Sequence, residues 1–554
     1  MRMPYWSPLL ALLVFPAFAQ TPDEEGGGLP GVDAGELVAD GASSAPEGEA
    51  PNQAEAWPSG AALSAAPVAA PVAAPMAGVT SPLAAALASL AQDPIFASAT
   101  VSVQVVDVRT GEEVYQWGDD KALAPASVMK VVTTAAALKR LGPNYKFPTW
   151  VLHDAAEPPS TEGVLAGSLY VKGQGDPTMV VERLWRMVFD LRMRGIREIK
   201  GDVVFDDAYF AGGPLVPGWT KAEDLANPPT YFASLGALSV NYNLHAVVVR
   251  PGASVGAAAA ADLEFPTPGV TLDNKLTTGK AGSKAWVKVE RAHDDATDVY
   301  TYTLTGNVPL EAKPDTIYRP VADPTAHYMA VFETIARQQG IKVKGRYRRG
   351  ATPTDASVVL RSDSEALSEI VSTTSKQSNN LFAEQLLLAM GAEVYGLPGT
   401  TDSGVRVVSE YLASLGVPSD AFHLVNGSGL SREILVRPSA VDAVLVDMAR
   451  DPDRAPEFLA SLSVGGRDGT LWSRFRADGL EGRVRGKTGT LDGVHCLAGY
   501  VRAADDALYA FTFLVNDIDG SPARARKAHD QLVITLAGTT DNLADGGEPE
   551  LPGR

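Results

Sequence analysis

Arg483-Val484-Arg485-Gly486-Lys487-Thr488-Gly489-Thr490 reads as a β-strand that ends at a turn, Leu491-Asp492-Gly493. Val494 to Arg502 and Ala507 to Asn516 read as two further strands, and Arg524 to Leu536 as a closing helix. The other end of the chain carries matching elements. Thr100 to Val108 and Glu113 to Trp117 read as strands joined in a hairpin at Arg109-Thr110-Gly111. Pro125 then leads into a helix running to Leu141, which Gly142-Pro143 ends. Strands from both ends therefore predict one antiparallel sheet flanked by helices, an α+β fold closed by the meeting of the two ends.

The middle of the chain reads differently. Strand signals dominate residues 155–349: Ser168 to Lys172, Asp202 to Phe205, Ala246 to Arg250, Trp286 to Val289 and Val299 to Leu304. Two segments share a helix–Gly–strand pattern. One is Met179 to Arg194, Gly195-Ile196, Lys200-Gly201; the other is His327 to Gln339, Gly340-Ile341, Lys344-Gly345. We read residues 155–349 as one or two inserted β-rich domains carrying a weak internal repeat, and residues 83–154 with 350–540 as one discontinuous domain. Residues 541–554 read as a flexible tail.

The first eighty residues set the compartment. Arg2, the apolar run Leu9 to Phe18 and Ala17-Phe18-Ala19 fit an export signal over residues 1–19. The run is too short for a comfortable membrane span, and no later run suggests one, so a mature protein without a transmembrane span is expected in the periplasm or cell envelope. Residues 20–82 hold nine acids and the repeat Pro67-Val68-Ala69-Ala70-Pro71-Val72-Ala73-Ala74-Pro75. Such composition buries too little apolar surface to offset ordering entropy, so a disordered linker is expected, with a short Ala/Leu helix over 82–92. No Lys or Arg lies between Arg2 and Arg109. The chain's net charge of −19 argues against a nucleic-acid partner. Its one cysteine, Cys496, cannot close an intrachain disulfide and reads as packing.

Three short motifs carry the chemistry: Ser127-Val128-Met129-Lys130, Ser378-Asn379-Asn380 and Lys487-Thr488-Gly489. Ser127 and Lys130 are three apart at a helix start and share one face. A serine hydroxyl is a poor nucleophile until a base takes its proton. Lysine serves only if burial or a second cation, for which Lys487 is placed, pulls its pKa well down. Ser378 suits proton relay to a leaving group, and Asn380 suits a substrate carbonyl and the lysine. Alone, Ser-x-Asn before Leu381 to Leu388 is equally a plain helix cap. Lys487 and Thr488 suit a substrate carboxylate, and Gly489 a close backbone approach by substrate. The Thr490 and Ser127 N–H groups can pair as an oxyanion hole. A phosphate-loop reading of Gly482 to Thr488 fails because three rather than four positions separate the glycines. The seven histidines are scattered without metal-ligand spacing, so no metal or other cofactor is expected.

The trio resembles the S-x-x-K, S-D-N and K-T-G set of penicillin-binding proteins and class A β-lactamases. Lys376-Gln377-Ser378-Asn379-Asn380-Leu381-Phe382-Ala383-Glu384 is similar to the second motif of the DacB-type D-alanyl-D-alanine carboxypeptidases, the class C low-molecular-mass penicillin-binding proteins of peptidase family S13. So are Asn426-Gly427-Ser428-Gly429-Leu430-Ser431-Arg432 and Gly486-Lys487-Thr488-Gly489-Thr490-Leu491, while Gly173-Gln174-Gly175-Asp176-Pro177 and Asp206-Asp207-Ala208-Tyr209-Phe210 resemble that family's insert. Asn426 stands where the family usually has Asp, and Gln174 where it usually has Gly. The 251 residues between Ser127 and Ser378 leave room for extra domains, which a class A β-lactamase lacks. The resemblance implies a penicillin-binding transpeptidase/β-lactamase-like domain, with Ser127, Lys130 and Ser378 catalytic and Asn380, Lys487, Thr488, Gly489 and Thr490 binding substrate or oxyanion. It implies peptidoglycan stem peptides and cross-links as substrates and β-lactams as covalent inhibitors. The rival readings are a serine β-lactamase and a catalytically silent peptidoglycan-binding protein.

Overall fold

The computed structural model describes residues 96 and 99–538, apart from 119, 212, 214, 220–227, 295, 477–478 and 519–521. The signal, linker, Ala/Leu helix and tail expected at 1–19, 20–82, 82–92 and 541–554 lie outside the described residues.

Six antiparallel strands form the sheet that both ends of the chain build. They are β1 (Thr100–Asp107), β2 (Glu113–Trp117), β3 (Ser463–Val464), β4 (Val484–Leu491), β5 (Val494–Arg502) and β6 (Leu508–Asn516), in the spatial order β3-β4-β5-β6-β1-β2. Five of these strands lie within one residue of the bounds the sequence predicts; the short edge strand β3 is an addition that the sequence reading lacks. The registers Gly489↔Cys496 and Val103↔Phe513 tie the ends together. Alternation along the strands sends side chains to two separate cores. Val101, Val103, Val105, Leu497, Phe511, Phe513 and Val515 pack against Leu532, Val533 and Leu536 of the last helix, Pro522–Ala537. Cys496, Ala498, Tyr500, Ala510 and Leu514 face the opposite layer. Each fully buried Val, Leu or Phe contributes about 1.5–3 kcal/mol, so both faces hold the sheet flat against its helices.

The opposite layer has a buried helix at its centre. Helix α1 (Met129–Leu141) is buried along its first ten residues, a pattern that places a helix inside a core rather than on it. Its two threonines are satisfied internally: Thr133 donates to the Gly427 carbonyl at 2.7 Å and Thr134 to the Lys130 carbonyl at 2.6 Å. Gly142, at φ +83, ends it. Helices α2 (Asn380–Tyr395) and α3 (Pro438–Arg450) pack against it through Leu386, Leu387, Ala440 and Val444.

The region expected as an insert is rich in strands. Strands Pro148–His153 and Ser357–Asp363 pair with each other and complete the insert's five-stranded sheet. The two chain crossings are zipped at its border: Phe147 N–H donates to Ser364 Oγ at 2.9 Å and Ser364 N–H to the Phe147 carbonyl at 3.0 Å. The internal repeat is real in space. Helices Val181–Met193 and Pro324–Gln338 precede short strands that pair in parallel, Glu198↔Lys342 and Ile199↔Val343. The strands after them, Val203–Asp206 and Tyr347–Arg349, pair in parallel too.

Candidate active site

Ser127 sits in a single turn, Ala126–Val128, that leads into α1. Ala126 takes φ +47, unusual for a residue with a Cβ, and is fully buried. Two glycines make room for this turn. A Cβ on Gly429, itself at φ +81, would stand 1.9 Å from the Ala126 carbonyl oxygen. A Cβ on Gly489 would stand 2.5 Å from the Pro125 carbonyl oxygen. The close approach at Gly489 is thus made by the protein's own backbone, and the sequence-based reason, room for substrate, is corrected accordingly. Cys496, opposite Gly489 in the sheet, donates from Sγ to the Ala124 carbonyl at 3.5 Å. Burial pushes its thiol up to about 12, in keeping with packing rather than chemistry.

Lys130 is fully buried and holds three partners. Its Nζ is 2.9 Å from Ser127 Oγ, 2.7 Å from Asn380 Oδ1 and 2.7 Å from the Ser428 carbonyl oxygen. The Asn380 amide is oriented by its other end, since Nδ2 donates to the Tyr231 carbonyl at 3.0 Å, so Oδ1 must face the lysine. Two pure acceptors therefore take two of its N–H bonds. The third position faces Ser127 Oγ, and in the free amine that position is the lone pair. Burial holds the Lys130 amine well below the usual lysine range and the neighbouring Lys487 lowers it further, while Glu384 opposes them.

The second lysine organises the other side. Lys487 Nζ donates to Ser378 Oγ and to the Thr488 carbonyl, both at 2.8 Å. Burial brings its amine down to about 7. Ser378 stands at φ +56 just before α2, and Asn379 caps that helix by accepting from Phe382 N–H at 3.2 Å. Among the described residues no hydrogen bond joins Ser378 to Lys130. Thr488 Oγ1 donates to Thr470 Oγ1 at 2.9 Å. Ser127 is half-buried and Thr490 exposed, so the space between β4 and the nucleophile is open to solvent. The structure thus joins Ser127, Lys130 and Asn380 in one cluster and Ser378, Lys487 and Thr488 in a second beside it, with Gly489 beneath the nucleophile and Thr490 exposed at the next position of β4.

Several supporting groups escaped the sequence reading. Glu384, a lone acid inside the apolar run of α2, is 1% exposed and accepts from Gly427 N–H at 3.0 Å and Ser428 N–H at 2.7 Å. It thereby fixes the loop whose carbonyl holds Lys130. The insert also reaches in. Trp219 Nε1 donates to Ser428 Oγ at 3.1 Å, and Asn426 Nδ2 to the Pro217 carbonyl at 3.0 Å. Together with Tyr231, this makes the insert part of the site's support. The lone acid in α2 was a readable signal; the Trp219 and Tyr231 contacts had none. Two of the scattered histidines meet within the insert: His245 and His327 pack with ring centroids 4.7 Å apart.

A serine whose hydroxyl faces a buried, depressed lysine, at the start of a helix packed against a six-stranded antiparallel sheet, defines a serine acyl-transfer enzyme of the penicillin-binding class. Comparison with known proteins makes the assignment specific. The chain belongs to the D-Ala-D-Ala carboxypeptidase 3 (S13) family, which it matches over residues 83–538. It is 36% identical over 473 residues to a D-alanyl-D-alanine carboxypeptidase of Actinomadura sp., covering 83% of this chain and 85% of that one. It is 25% identical over 412 residues to the D-alanyl-D-alanine carboxypeptidase DacB of Haemophilus influenzae, covering 72% and 83%. The crystal structure of penicillin binding protein 4 (dacB) from Haemophilus influenzae shares the fold, with TM-score 0.70 at 23% identity over 81% of this chain and 98% of that one.

Proposed function

We propose that this chain is a serine-type DD-peptidase that cleaves D-Ala-D-Ala termini, D-Ala cross-links, or both, in peptidoglycan, through an acyl-enzyme on Ser127. The observation that carries the proposal is the three-point seating of Lys130, which holds its buried amine 2.9 Å from Ser127 Oγ. Ser127 attacks the carbonyl of the penultimate D-Ala while Lys130 takes the hydroxyl proton. The backbone N–H groups of Ser127 and Thr490 hold the developing oxyanion. As the C–N bond breaks, Ser378 gives its hydroxyl proton to the leaving amine and is reprotonated with the proton Lys130 took from Ser127, which returns Lys130 to the free amine; Lys487 holds the Ser378 oxygen in place. Lys487 and Thr488 lie where a substrate carboxylate arrives, and Asn380 orients both the lysine and the peptide. Water then attacks the ester, Lys130 again serving as base, and releases the shortened peptide. The chemistry needs no cofactor. β-Lactams acylate the same serine because they present the same carbonyl.

No helix among the described residues is long and apolar enough to cross a membrane. With the export signal read at residues 1–19, the proposed workplace is the cell envelope.

Digestion of purified monomeric and cross-linked muropeptides tests the proposal. Release of D-Ala, or splitting of dimers, supports it, and the ratio of the two fixes the balance of carboxypeptidase and endopeptidase action. Intact muropeptides after incubation with a chain that labels with penicillin would overturn it. Rapid turnover of the labelled penicillin would favour a β-lactamase instead.

A further inference from the structure

The internal repeat leaves one feature that the catalytic chemistry does not use. Helix Val181–Met193 buries Leu184, Met187, Val188 and Leu191. Its opposite face carries Trp185, Phe189 and Met193, spaced i, i+4, i+8 and so aligned over about 12 Å. Trp185 is 42% and Met193 67% exposed. Trp185 and Phe189 stack at 5.3 Å with their planes 9° apart, and the Arg186 guanidinium lies 5.6 Å from the Phe189 ring centre. A rigid aromatic pair and a mobile thioether facing water are unusual on a helix whose core face is already satisfied.

Beyond Met193 the chain turns basic. Arg192, Arg194 and Arg197 make no ion pair among the described residues. The parallel pairing of the two repeats sets Lys342 beside Glu198, and that single acid is shared by Lys200 at 2.8 Å and Lys344 at 4.0 Å. Residues 342–349, Lys-Val-Lys-Gly-Arg-Tyr-Arg-Arg, contain no acid; Arg348 pairs with Asp202 and Arg349 with Asp207 and Asp323, which leaves Lys342, Lys344 and Arg346 to charge the strip. Beside Arg194 a cleft of about 360 Å³, walled by Pro158, Pro159, Ile196 and Val358, gives the strip an apolar margin.

We infer that this face docks on an anionic phospholipid surface. An amphipathic helix with Trp and Phe outward and arginines at its flank seats its rings at the headgroup level, while basic residues meet the lipid phosphates. Charge selects the face. The chain carries −19 overall, so an anionic bilayer repels much of its surface, whereas Arg192, Arg194, Arg197, Lys200, Lys342 and Lys344 set against Glu198 give this strip an excess of positive charge. The sequence repeat then has a purpose: two helix–strand units set in parallel double the density of basic side chains at one edge. The inference is independent of the catalytic assignment.

Cosedimentation of the full chain with vesicles tests it. Phosphatidylglycerol mixed into phosphatidylcholine should bind the protein at low salt and release it at high salt, and phosphatidylcholine alone should not bind. Neutralising Lys342 and Lys344 to Gln should weaken partition about fivefold for each lysine lost. Trp185→Ser with Met193→Ser should weaken it further, and brominated lipid should quench the Trp185 emission that Trp185→Phe removes. Each variant should still be acylated by fluorescent penicillin, which shows that it folds. Equal binding to neutral and anionic vesicles, undiminished binding by the Lys342/Lys344 variant, or capture by soluble polyphosphate without any vesicle binding would each overturn the inference.

Discussion

Replacing Asn380 by Asp changes one atom of the site and tests the geometry of the base. Asn380 Oδ1 is 2.7 Å from Lys130 Nζ. A carboxylate oxygen there would attract an ammonium by about 6 kcal/mol at an effective dielectric constant near 20. At 1.36 kcal/mol per unit that is about four pKa units. The new carboxylate is itself partly desolvated and loses its bond to the Tyr231 carbonyl, so about half the effect, roughly two units, should survive. Lys130 then holds its proton to higher pH, and while protonated it cannot accept the Ser127 proton. The second-order rate of acylation by a fluorescent penicillin should fall by up to about 100-fold on its acid limb and recover as pH rises, that limb displaced upward by the same two units. Asn380→Ala, which removes the Tyr231 bond without adding charge, should lower the rate with no upward displacement. An Asn380→Asp variant with the wild-type pH profile would show that Lys130 is not the group whose deprotonation starts the reaction.

Three further perturbations follow from the same geometry. Lys487→Met removes the cation that depresses Lys130 and the bond to Ser378, so the acid limb of acylation should move upward and the rate should drop about 100-fold or more; an unmoved limb would separate the two lysines. Gly489→Ala should cost about 1–3 kcal/mol in urea melts and slow acylation at least tenfold, because the new Cβ meets the immovable Pro125 carbonyl at 2.5 Å; unchanged stability and rate would disprove the packing role. His245 and His327 are buried in the insert, and His245 ionises only near about 4 when folded. The unfolded chain takes up that proton near about 6.5, so the stability the neutral ring supplies is complete above that pH and lost as pH falls toward 4. His245 alone should remove about 2 kcal/mol between about pH 7 and pH 5, and His245→Asn should flatten that slope in melts at the two pH values.

The parts of this protein that depend on local pattern were readable, and those that depend on distant side chains were not. The strands Val484–Leu491 and Val494–Arg502 follow from alternation and from the turn at Asp492-Gly493, so their bounds came within a residue of the structure. Ser127 and Lys130 could be placed on one face because a three-residue spacing on a helix has one outcome. Partner choice is another matter. Ser378 bonds Lys487 rather than Lys130, and the Thr488 hydroxyl meets Thr470, because those pairings are set by how β4 lies against the start of α2 and the loop at 469–471. The insert was read as a separate body, yet Pro217, Trp219 and Tyr231 hold the Asn426–Ser428 loop and Asn380 across gaps of well over a hundred residues. No periodicity marks such contacts. Gly489 shows the same limit: a glycine announces a close approach, and only the fold says what approaches.

The central claim is that Ser127 is the acylated nucleophile. Peptide mapping by mass spectrometry after incubation with benzylpenicillin measures this directly. A single penicilloyl mass addition on the peptide containing Ser127, absent from Ser127→Ala, is the expected result. An adduct that persists in Ser127→Ala, or maps to another serine, would contradict it.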